Sequence, residues 1–143
     1  MGTGTELVNQ VLALYNKHDW EAMASLYTGD AVYIAADVRS EGPEAIRATF
    51  ESWNKSFPDM AVETTLVIED ESAGEDTVVG VWTYRATHAG PLALPDGTEI
   101  PATGKALEFS GVTVATVRDG KFVTWRDYYD TADWARQLGL MPG

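Results

Sequence analysis

Leu7, Val8, Val11, Leu12 and Tyr15 recur at three- and four-residue spacing, which predicts an amphipathic helix capped by Thr3 or Thr5. Asp19 is placed to cap a second, short helix carrying Trp20, Met23, Leu26 and Tyr27, with Gly29-Asp30 as its break. Residues 31–35 then read as a short strand. Glu41-Gly42-Pro43-Glu44 is a helix start with Pro in the first turn, and the helix that follows sets Ile46, Phe50, Trp53 and Phe57 on one face before Pro58-Asp59 ends it.

From Met60 the period changes to two. The pattern predicts strands over 61–71, 77–88, 105–117 and 122–129. Residues 72–76 read as a turn between the first two. The Pro- and Gly-rich stretch 90–103 reads as a loop or wide hairpin. Arg118-Asp119-Gly120-Lys121 is a tight hairpin, because Asp-Gly tolerates positive φ. A terminal helix is expected over 131–138, with Asp130 as its cap and Gly139 as its stop. Helices followed by a run of strands indicate an α+β fold. The expectation is one domain over 1–143 in which a curved antiparallel sheet wraps around the helices as a cone, open at one end as a pocket.

Composition narrows the function. A net charge of −12, from 22 acidic and 10 basic residues, argues against nucleic acid and against anionic membrane surfaces. There is no cysteine, which excludes disulfides and thiolate chemistry. Two histidines, His18 and His88, rule out a three-histidine metal site. Residues 1–6 lack the basic and apolar regions of a signal peptide, and no apolar run reaches membrane-span length, so a soluble, cytoplasmic protein is expected. The sequence shows no phosphate-binding glycine loop after a strand and no nucleophile elbow around Ser40, Ser52 or Ser56.

The last strand carries the clearest chemistry. Alternation places Val123, Trp125, Asp127 and Tyr129 on one face, and Phe122, Thr124, Arg126 and Tyr128 on the other. With the first face inward, the Asp127 carboxylate lies in an apolar cavity, where desolvation raises its pKa and suits it to proton abstraction. The competing reading is an ion pair of Asp127 with Arg85 or Arg126 that only supports the fold. A second constellation sets Trp82, Tyr84, Ala86 and His88 on one face of the strand over 77–88, and Arg85 on the other. His88, at the strand end, either polarises a substrate oxygen or bonds the neighbouring loop.

Residues 120–130, with Gln137-Leu138-Gly139, Thr87-His88-Ala89-Gly90-Pro91-Leu92 and Ile100-Pro101-Ala102-Thr103-Gly104-Lys105, resemble the SnoaL-like polyketide cyclase family of the nuclear-transport-factor-2-like (cystatin-like roll) superfamily. The resemblance implies that Asp127 is a general acid/base that deprotonates an aromatic polyketide ester for intramolecular aldol ring closure, without cofactor or metal. It implies catalytic company from His88, and substrate contacts from Tyr33, Trp53, Trp82, Arg85, Trp125 and Tyr129. Thr113 stands where some cyclases carry another histidine. The Trp125-Arg126-Asp127 string also resembles limonene-type epoxide hydrolases. There Asp127, Arg85 and Tyr33 match, while Thr87 and Ala35 replace the second Asp and the Asn, which disfavours epoxide hydrolysis. Hydroxylation of anthracycline-like substrates, a ketosteroid-isomerase-like proton shift and a non-catalytic small-molecule binding module share the same framework. The resemblance and an apolar outward sheet face together predict a homodimer.

Overall fold

The computed structural model describes residues 3–36, 38–70, 76–94 and 96–140. The first helix, α1 (Thr3–Asn16), packs its stripe of Leu7, Val8, Val11 and Tyr15 into the core. Thr3 and Thr5 both lie inside it. Its start is held by the carboxylate of Glu69, which accepts the Thr5 amide at 2.7 Å and the Thr5 hydroxyl at 3.0 Å. A carboxylate at a helix N-terminus satisfies free N–H groups and opposes the dipole. Asp19 caps α2 (Trp20–Ala24) as expected, accepting the Ala22 N–H at 3.1 Å. Pro43 opens α3 (Pro43–Ser56), which buries Ile46 and Phe50. Each fully buried side chain of this size contributes about 1.5–3 kcal/mol.

The first strand is longer than its sequence suggests. β1 runs Tyr27–Ala35, and Gly29-Asp30 coincide with irregular pairing between Tyr27 and Val32 instead of ending an element. β2 (Val38–Glu41), unforeseen, pairs antiparallel with β1; at 4 residues it is too short for alternation to reveal. The long strands β3 (Ala61–Asp70), β4 (Asp76–Thr87), β7 (Ala106–Arg118) and β8 (Lys121–Tyr129) agree with the period-two reading. Within the loop, Leu92–Ala93 (β5) and Glu99–Ile100 (β6) form a small hairpin. Most of the predicted turn at 72–76 lies outside the described residues. Asp119 (φ 53°) and Gly120 (φ 76°) make the expected tight turn. Asp130 caps α4 (Thr131–Gln137), and Gly139 follows it at φ 76°.

The sheet order is β2-β1-β8-β7-β4-β3, and the β1–β8 pair is parallel, so the sheet is mixed and not wholly antiparallel. Helices lie against one face, and that face and the helices line a cavity. One expected side-chain direction is reversed. Thr116 pairs with Thr124 and Val117 with Phe122, so Val123 is an unpaired bulge residue. The bulge turns Phe122 inward, where it is fully buried and packs edge-on against Trp125 at 5.0 Å.

Candidate functional site

Inward residues of β1, β4, β7 and β8, together with α1, α3 and α4, enclose a cavity of about 260 Å³. Its wall is aromatic: Tyr15 from α1, Tyr33 from β1, Phe50 and Trp53 from α3, Trp82 and Tyr84 from β4. Such a wall takes flat, apolar ligands and leaves orientation to a few polar atoms. Among the described residues, Asp127 is the one acidic side chain on it.

Asp127 is held by its register. It stands opposite Thr113 on β7 and beside Ala35 on β1, two residues after Trp125 on its own face. Three donors converge on it. Thr113 Oγ1–H (2.5 Å) and Trp125 Nε1–H (2.8 Å) donate to Oδ1, and Tyr33 O–H (2.6 Å) donates to Oδ2. Thr113 Oγ1 accepts from Trp82 Nε1–H at 2.8 Å, which directs its own proton toward Asp127. Trp82 fits because Gly111 has no side chain; a Cβ there would come within 2.5 Å of the indole.

Burial raises the pKa of Asp127 from the ordinary carboxylate value, and the hydrogen bonds from Thr113, Tyr33 and Trp125 pull against that rise. No cationic side chain pairs with Asp127 among the described residues. Asp127 is half-buried and lines the cavity. Burial, followed by the charge of Asp127, raises the pKa of Tyr33 well above the usual phenol value, so its hydroxyl stays a donor.

Among the residues singled out by sequence, the structure brings Asp127, Tyr33, Trp53, Trp82, Trp125 and Tyr129 to the cavity wall. Arg85 is not among them. It lies on the outward face, exposed, and pairs with Glu63 (3.4 Å) and Glu108 (3.3 Å). Strand parity opposes it to Trp82 and Tyr84, so neither an ion pair with Asp127 nor a substrate contact is open to it. His88 is fully buried but is not on the cavity wall. Its Nδ1 accepts the Thr103 N–H at 3.3 Å and lies 2.9 Å from the Thr103 hydroxyl, and its ring packs 5.5 Å from Phe57. It thus ties the loop that carries Leu92, Ala93 and Leu94, all cavity-lining, to the end of β4. Tyr15 and Tyr27 on the wall, and Thr113 beside Asp127, are site residues that no motif in the sequence marks as such. The α1 stripe placed Tyr15 inward, and only the β7–β8 register pairs Thr113 with Asp127.

The fold is that of the nuclear-transport-factor-2-like class. A profile of the SnoaL-like polyketide cyclase family matches residues 5–138, and the chain belongs to that family. Solved structures with the same fold include one from Jannaschia sp. CCS1, provisionally described as a SnoaL-like polyketide cyclase (19% identity, 98% of this chain and 94% of that one, TM-score 0.82). TsrD from Streptomyces laurentii shares 22% identity over 97% of this chain and 96% of its own, with TM-score 0.80. AclR from Streptomyces galilaeus, provisionally a hydroxylase, shares 22% identity over 97% of this chain and 86% of its own, with TM-score 0.78. No curated protein sequence matches the chain significantly. Among the described residues no helix is long and apolar enough to cross a membrane.

Proposed function

We propose that the chain is an acid/base enzyme that closes a ring in an aromatic polyketide ester, with Asp127 as the proton-transferring group. The observation that carries this reading is a half-buried carboxylate on the wall of an aromatic cavity, held by three neutral donors and, among the described residues, by no cation. A structural carboxylate at such depth is normally neutralised by a cationic partner. One left unpaired is a stronger base than its solvated counterpart.

In this mechanism Asp127 removes a proton from a carbon acidified by flanking carbonyl groups. The carbanion attacks a ketone in the same molecule, and the carboxyl returns the proton to the new alkoxide. The aromatic walls orient the flat substrate and exclude water. The remaining sequence candidate, His88, supports this reading as a residue that holds the wall.

The test is deuterium uptake from D₂O at the acidic carbon of ethyl benzoylacetate, an aromatic β-ketoester, followed by proton NMR. Uptake above background by wild type and none by a folded Asp127→Asn supports the base; equal uptake by both discards it.

A homodimer through the outward sheet face is part of the proposal. Leu66, Val81, Val112 and Tyr128 are joined by successive register pairs across that face, as are Ile68, Val79, Val114 and Arg126. Leu66, Ile68 and Tyr128 are each at least half exposed, at 50%, 54% and 52%. Large apolar side chains in rows across one sheet suit a self-complementary contact. A monomeric mass at working concentration would remove this part.

A further inference from the structure

We infer that Tyr33 is a second catalytic group, which turns its hydroxyl from Asp127 to the substrate oxygen as the proton moves. The inference rests on Asp127 being the base and adds what stabilises the charge left behind. A carboxylate has about four acceptor positions, two on each oxygen. Among the described residues, Thr113 and Trp125 fill both on Oδ1, whereas Oδ2 accepts from Tyr33 alone. The incoming proton therefore goes to Oδ2, the oxygen that Tyr33 touches.

That position sets what Tyr33 meets. A carbonyl oxygen lies ~2.4 Å from the adjacent acidic carbon. A substrate that presents this carbon to Oδ2 can hold its carbonyl oxygen within reach of a hydroxyl 2.6 Å from the same atom. As the C–H bond breaks, its proton forms the Oδ2–H bond and its electron pair moves through the new C=C bond onto the carbonyl oxygen. The neutral carboxyl becomes the poorer acceptor and the enolate oxygen the better one, since bonds to charged acceptors are the stronger. The Tyr33 hydrogen bond follows the charge and is strongest in the transition state. Ring closure reverses the flow: the enolate carbon bonds to the ketone carbon, the ketone oxygen takes the Oδ2 proton, and Tyr33 returns to Asp127. Tyr33 keeps its own proton throughout. Tyr15 and Tyr27 also line the cavity, but neither donates to Asp127.

Thr113→Val and Tyr33→Phe separate this role from simple support of Asp127. Each variant removes one donor from the carboxylate, so in each the onset of activity moves to higher pH. Only Tyr33→Phe also removes the enolate donor. With ethyl benzoylacetate exchange measured across pH, Thr113→Val keeps a plateau rate within about threefold of wild type. Tyr33→Phe loses on the order of 100-fold, as expected for one lost donor to a developing oxyanion. A Tyr33→Phe plateau matching that of Thr113→Val overturns the inference. Should Tyr33→Phe not fold, Tyr33→3-fluorotyrosine, nearly isosteric and a stronger donor, is expected to raise the plateau, and an unchanged or lower plateau overturns the inference. Exchange by Asp127→Asn at the wild-type rate is a different failure, since it removes the base reading itself.

Discussion

Thr113 and Asp127 face each other across the β7–β8 ladder, and the threonine hydroxyl is committed to the carboxylate because Trp82 occupies its acceptor side. An indole on β4 thereby governs a carboxylate two strands away through one hydroxyl. The base is tuned by neutral donors in series, without an opposing charge.

Trp82→Phe removes the head of that series. The Thr113 hydroxyl is then free to rotate, Asp127 loses part of its stabilisation as an anion, and its pKa climbs further. The onset of deuterium exchange is expected to move to higher pH, with stability lowered by about 1–3 kcal/mol for the space left. A pH profile and a thermal melt on the same sample read both.

Asp127 also makes stability depend on pH. Its folded pKa is raised above the unfolded value, so between the two the folded state binds more protons and stability falls as pH rises. Asp127→Asn is spared this loss. It is expected to melt higher than wild type near pH 7. The gain should shrink below pH 4, where the wild-type carboxyl is protonated in both states. Paired melts at the two pH values check it.

Gly111→Ala tests the close approach of the indole. The added methyl meets Trp82 ring carbons at 2.5 Å and the Tyr128 carbonyl oxygen at 2.7 Å. Overpacking of this kind costs about 1–3 kcal/mol. It should also push Trp82 off Thr113, giving a pH profile displaced in the same direction as Trp82→Phe.

His88→Ala distinguishes a wall support from a reacting group. Loss of the Thr103 bonds loosens the loop bearing Leu92 to Leu94, so KM is expected to rise several-fold while kcat and the onset pH stay near wild type. A kcat loss on the scale of Asp127→Asn would return His88 to the chemistry.

Arg85→Ala is the control on the outer face. Its pairs with Glu63 and Glu108 are more than half exposed, and such pairs contribute under about 1 kcal/mol. Unchanged exchange and a melt within about 2 °C are expected.

The long elements were legible because each has one buried side. The stripe of α1 and the alternation of β4, β7 and β8 follow from the need to hide one face. Asp127 was legible for the same reason, as a charge written at an inward position. Arg85 shows how parity outranks resemblance: alternation already set it opposite Trp82. Illegible features were those that depend on a partner strand. Nothing in residues 38–41 marks β2, whose pairing comes from β1. Thr113 acquires its meaning only from the register that sets it against Asp127. His88 sits on the inward face by parity, yet Phe57 and not His88 meets the cavity there.

The unpaired Val123 gives β8 two separate countings of inside and outside. Before it, Phe122 is in; after it, Trp125, Asp127 and Tyr129 are in. Drawing Val123 into regular pairing would act on side-chain direction as a frameshift acts on a message. Either the carboxylate would swing out with the Val117–Phe122 pair held, or Phe122 would swing out with the Thr113–Asp127 pair held. With Phe122 three positions before Trp125, the strand keeps its aromatic anchor and its reacting atom on the same side only by carrying a residue that pairs with nothing.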